Sequence, residues 1–102
     1  MSTQVNVKEE KKSQFFRYKG FPLVRKKDEI YYGNMSDPFV VMMQIMKKEK
    51  VGDMDVATKV KLYYMSTDES LNPIERIKKT SEKNGLYEAL DIAYIWLSRQ
   101  ES

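Results

Sequence analysis

Phe39-Val-Val-Met-Met-Gln-Ile-Met46 is the stretch whose reading decides the fold. Two assignments compete for it. Asp37-Pro38 stands before it, and a proline at the first helical position behind a capping side chain is a helix start. The run itself opens with aromatic and β-branched residues, which favours a strand. A partner follows at Lys59-Val-Lys-Leu-Tyr-Tyr-Met65, where Val60, Leu62 and Tyr64 alternate with Lys59, Lys61 and Tyr63. The strand is preferred and the helix is the alternative. As a strand, the run places Phe39, Val41, Met43 and Ile45 on one face and Val40, Met42, Gln44 and Met46 on the other. Both faces are apolar, so a sheet built on this segment needs a cover on each side.

Toward the N-terminus, Leu23–Arg25 and Glu29–Tyr32 flank the polar tip Lys26-Lys27-Asp28, the layout of a tight hairpin. Lys19-Gly20-Phe21-Pro22 breaks any continuous element before it. Phe15-Phe16-Arg17-Tyr18 suits a strand or a packed lead-in, and residues 1–14 are polar enough to read as a disordered basic arm ahead of a single domain over 15–102. Toward the C-terminus, Lys47–Lys50 and Val51–Asp55 supply polar strand ends and a glycine turn. Asn72-Pro73-Ile74-Glu75 has the layout of a capped helix start, and that helix is expected to end at Asn84-Gly85 with the glycine left-handed. Leu86, Ala89, Leu90, Ala93 and Leu97 recur at helical spacing, widened by Ile92 and Trp96, and predict a second helix to about Ser98. The expected class is α+β: a four-stranded antiparallel β-meander followed by two C-terminal helices packed on one face.

The chain of 102 residues has the size of one domain. It contains no cysteine, which excludes disulfides, thiolate metal sites and thiol nucleophiles. It contains no histidine either, so the commonest general base and metal ligand are missing. An enzyme is therefore not expected, nor a metal or other cofactor. Asp53 and Asp55 read as hairpin-turn residues, and Glu88 and Asp91 as a solvated helix face. Without a signal-like start or an apolar run of ~20 residues, the expected location is cytoplasmic, with no membrane partner and no small-molecule substrate identified.

Two surfaces emerge as candidates. The outer face of the strand around Val40, Met42 and Met46 is a possible contact between two copies, which makes a homodimer, a non-enzymatic protein-interaction module, the leading functional expectation. Methionines suit such an adaptable surface. The alternative is nucleic-acid binding. Residues 1–27 hold eight basic and two acidic side chains, a net of +6, against −3 for the remainder and +3 overall. Lys11, Lys12, Arg17, Lys19, Arg25, Lys26 and Lys27 are the cations that would meet phosphates, with Phe16 and Tyr18 stacking on bases. Tyr31, Tyr32, Tyr63 and Tyr64 would line a groove if their strands approach, although cross-strand packing explains them equally.

Three stretches, Tyr18-Lys-Gly-Phe-Pro-Leu-Val-Arg25, Ile30-Tyr-Tyr-Gly-Asn-Met-Ser-Asp37 and Gly85-Leu-Tyr-Glu-Ala-Leu-Asp-Ile-Ala93, resemble those of a family of short uncharacterised bacterial proteins. The resemblance implies a bacterial cytosolic origin and carries no activity, ligand or site residue with it.

Overall fold

The computed structural model describes residues 13–99. The chain forms six strands, β1 (Ser13–Tyr18), β2 (Phe21–Lys26), β3 (Glu29–Tyr32), β4 (Phe39–Val51), β5 (Met54–Ser66) and β6 (Ile77–Lys83). A short helix, α1 (Pro73–Arg76), precedes β6, and a longer one, α2 (Leu86–Ser98), follows it. The strands make one antiparallel sheet in the order β1-β2-β3-β4-β5-β6, so every strand lies beside its neighbours in sequence. The α+β class and the antiparallel meander stand. The sheet, however, has six strands where four were expected.

Each added strand has a physical reason. Lys19 and Gly20 both take positive φ, 49° and 87°, and together make the two-residue turn that joins Tyr18 to Phe21. The supposed break is therefore a hairpin tip, and the aromatic lead-in becomes β1. The other addition replaces most of the first expected helix. Asn72 caps α1 as its sequence predicts: its Oδ1 accepts from Glu75 N at 2.8 Å, and Glu75 Oε1 accepts from Asn72 N. The helix nevertheless lasts one turn. Its apolar residues Ile74 and Ile77 remain 83% and 37% exposed, too little burial to hold a longer helix, while the free edge of β5 offers a ladder of backbone partners. Residues 77–83 take that ladder, pairing from Met65↔Ile77 to Val60↔Lys83. Gly85 is correspondingly not a left-handed helix end; it is the extended N-cap of α2, at φ −168°.

The segment that decides the fold is a strand, and a long one. Beyond Ile45 the β4–β5 pair contains two bulges, with Met46 as the extra residue on β4 and Thr58 on β5. It then runs on past both neighbours to a tight turn at Gly52-Asp53, where Gly52 has φ +63°.

One face of the sheet is buried by α2. Leu23, Ile30, Tyr32, Val41, Met43, Ile45, Val60, Leu62 and Tyr64 from the strands meet Ala89, Leu90, Ala93 and Leu97 from the helix in a single core. At one end of it, Tyr18, Phe21 and Tyr94 surround Tyr32 or each other with edge-on rings. The Tyr32 hydroxyl donates to the Tyr18 carbonyl at 2.7 Å, so the one polar atom of a fully buried ring is satisfied.

Burial pushes the Tyr32 phenol up to about 12, with smaller contributions from Tyr18 and Tyr94. A folded-state pKa above the unfolded one means stability that is complete below about pH 10 and lost as pH rises toward 12. Tyr32→Phe should cost about 1 kcal/mol at neutral pH through the lost hydrogen bond. It should also flatten the fall in urea midpoint between pH 9 and pH 11 relative to the parent chain. An unchanged alkaline slope would show that Tyr32 ionises freely.

Candidate interaction surface

Alternation along a strand assigns each residue to one face of the sheet. The row Leu23, Tyr32, Val41, Tyr64 lies beneath α2, so the adjacent cross-strand row points away from it. That row runs Phe15, Val24, Tyr31, Met42, Tyr63 and Thr80, one residue from each of the six strands. Five of the six are apolar or aromatic. Phe15 is 72% and Tyr31 44% exposed. Among the described residues, no helix covers this outer face.

Two further outer rows flank the first. On one side Val40 pairs with Met65 and Met65 with Ile77. On the other the row is polar: Lys26, Glu29, Gln44, Lys61 and Glu82 on β2 to β6. Glu29, Lys61 and Glu82 have partners within the chain. The Tyr31 hydroxyl donates to Glu29 at 3.3 Å, Lys61 Nζ stands 5.6 Å from the Tyr63 ring centre, and Glu82 pairs with Lys59 at 3.7 Å. Partial burial, then the Glu29 charge and this hydrogen bond, raise the Tyr31 phenol above its ordinary value.

The three residues expected at the contact are placed unequally. Met42 sits half-buried at the middle of the apolar row, and Met46, the bulged residue, is half exposed. Val40 is only 7% exposed, packed beside Gly33, so it supports the surface from below and offers little of itself. The sequence reading missed Phe15 and Val24, and it grouped Tyr31 and Tyr63 with Tyr32 and Tyr64 as a possible groove. The two Tyr-Tyr pairs were the available signal: alternation sends Tyr32 and Tyr64 to the core and Tyr31 and Tyr63 outward.

The expected nucleic-acid residues are not brought together. Lys11 and Lys12 lie outside the described residues. Tyr18 packs on Tyr32, and Lys19 stands over the Tyr18 and Tyr94 rings. Arg17 donates to the Gly20 carbonyl and Arg25 to that of Lys27. Phe16 and Arg25 lie in the rows of the helix-covered face, Arg17 and Lys26 in those of the outer face, and Lys27 at a turn. No continuous basic and aromatic track results.

On the helix side, α2 leaves the β1–β2 hairpin partly open. A cleft of about 570 Å³ lies between Arg25, the start of α2 and the β4–β5 hairpin. A second, of about 340 Å³, adjoins it near Phe16 and Leu90. Both are mainly apolar. Among the described residues there is no cluster of three metal-ligating side chains, and no helix is long and apolar enough to cross a membrane. No family model, curated protein or solved structure matches this chain.

Proposed function

We propose that this chain is a small, non-enzymatic interaction module of the cytoplasm that acts as a homodimer through the outer face of its sheet. The observation that carries this reading is the apolar row from Phe15 to Tyr63, crossing five adjacent strands on a face that no described element covers. A contiguous exposed apolar patch on a small domain is the mark of an interface. Aromatic rings and methionine at its centre, with charges to the side, match the usual anatomy of one. The cytoplasmic placement rests on the cysteine-free composition.

Sedimentation equilibrium from low to high micromolar concentration tests the reading. The parent chain should pass from monomer to dimer. Met42→Lys should hold it monomeric with its circular dichroism unchanged, because a half-exposed residue on this face is not part of the core. A parent chain that remains monomeric at 500 µM would defeat the proposal.

A further inference from the structure

The outer polar row has a symmetry that identifies its own partner. From β2 to β6 it reads Lys26, Glu29, Gln44, Lys61, Glu82: positive, negative, neutral, positive, negative. Reversed about its centre at Gln44, every charge meets its opposite. We propose that a second copy of this chain packs on the outer face with the two-fold axis running along β4, midway between the two sheets. This inference rests on the self-association proposed above and specifies its geometry.

A two-fold axis in that position preserves height along the strands and exchanges left for right. It sets β4 over β4 of the other copy, β3 over β5 and β2 over β6. Glu29 then faces Lys61 across the interface, Lys26 faces Glu82, and Gln44 faces its own counterpart. In the apolar row the same operation places Tyr31 over Tyr63 and Met42 over Met42. Facing sheets lie ~10 Å apart, a gap that extended Lys and Glu side chains can bridge.

Two other in-plane axes fail this test. An axis running across the strands through the polar row would set Lys26 on Lys26 and Glu29 on Glu29. One running through the apolar row would set the charges over Val40, Met65 and Ile77, leaving them unpaired on an apolar surface. Like charges directly opposed, or charges desolvated without partners, oppose association. Of these three axes the polar row favours the one along β4, which also sets Lys47, in the next outer row, over its own counterpart. The footprint is modest: five strand spacings by three same-face rows is ~24 Å by ~20 Å. That is at the small end of specific interfaces, so micromolar association is expected.

Charge reversal and its rescue provide the experiment. Because each pair occurs twice in a symmetric dimer, Glu29→Lys and Lys61→Glu each turn two attractive contacts repulsive, and each should weaken dimerisation at least about tenfold. The double variant Glu29→Lys/Lys61→Glu restores opposite charges across the axis and should return to within about threefold of the parent, as measured by sedimentation equilibrium at low salt. Within one chain Glu29 and Lys61 stand two strand spacings apart across Gln44, so urea unfolding of the variants under monomeric conditions separates pairing inside the chain from recovery across the interface. Circular dichroism of all three variants establishes that they are folded. A dimeric parent whose single variants are unaffected, or whose double variant fails to recover, overturns this axis while leaving self-association standing. A monomeric parent overturns both, and a monomer that binds a single-stranded oligonucleotide with steep salt dependence would reassign the face to nucleic acid.

Discussion

Leu97→Ala should destabilise the fold by about 2–5 kcal/mol, the range for truncating a leucine in a core that cannot collapse. Leu97 is 2% exposed in the last turn of α2, where the helix comes down on the end of β3. Whole-domain stabilities are about 5–15 kcal/mol, so this one side chain carries a large share of the margin. Thermal unfolding should fall by at least about 10 °C. Ile95→Ala on the same helix is the control: Ile95 is 39% exposed, and its truncation should shift the urea midpoint far less. Equal losses at the two positions would mean that helix propensity, and not docking on the sheet, governs α2.

Gly33→Ala should cost about 2–3 kcal/mol, and for two separable reasons. Its φ of +122° is a conformation that side-chain-bearing residues rarely adopt. A Cβ there would also lie 3.3 Å from Leu97 Cδ1 and 3.3 Å from Val40 Cγ1, which is tight for carbon against carbon. The steric part depends on Leu97 as well as Val40, and the backbone part on neither. Combining Gly33→Ala with Leu97→Ala should therefore be less destabilising than the sum of the single changes, by roughly 0.5–1.5 kcal/mol. Urea denaturation of the four proteins gives this coupling directly. Additive effects would show that Leu97 takes no part in the cost, leaving the backbone conformation and Val40 to account for the glycine.

Much of the architecture is written locally. The alternation in 59–65 and the spacing of Leu86, Leu90, Ala93 and Leu97 specify β5 and α2; the core contains Val60, Leu62, Tyr64, Leu90, Ala93 and Leu97, with Leu86 packed against it. Two elements were obscured because their cause lies elsewhere in the chain. Asn72 and Glu75 form a genuine capping box, so the helix start was legible. Its early end depends on the open edge of β5, to which residues 77–83 add. At Lys19-Gly20 the turn places a lysine at φ 49°, a position usually held by asparagine or glycine, and so carries a weak local signal. The candidate surface divides the same way. Met42 and Met46 follow from alternation within one strand, whereas the Phe15-to-Tyr63 row and the antisymmetric charges exist only once five registers are set. The aromatic end of the core is likewise assembled from separate segments, Tyr18 on β1, Phe21 on β2 and Tyr32 on β3.

The unbroken strand order has a consequence for how the molecule comes to be. Because each strand pairs with the one just before and just after it in sequence, no hairpin must wait for a distant segment to arrive. Loop-closure entropy is kept low at every pairing. A β-rich chain with this topology can grow its sheet by successive hairpin additions, leaving the docking of α2 as the step that joins distant parts. That gives it a lower contact order than a Greek-key sandwich of the same length, and faster folding. The exposed apolar row is thereby spared a long-lived, half-paired state in which its strand edges would be open to aggregation.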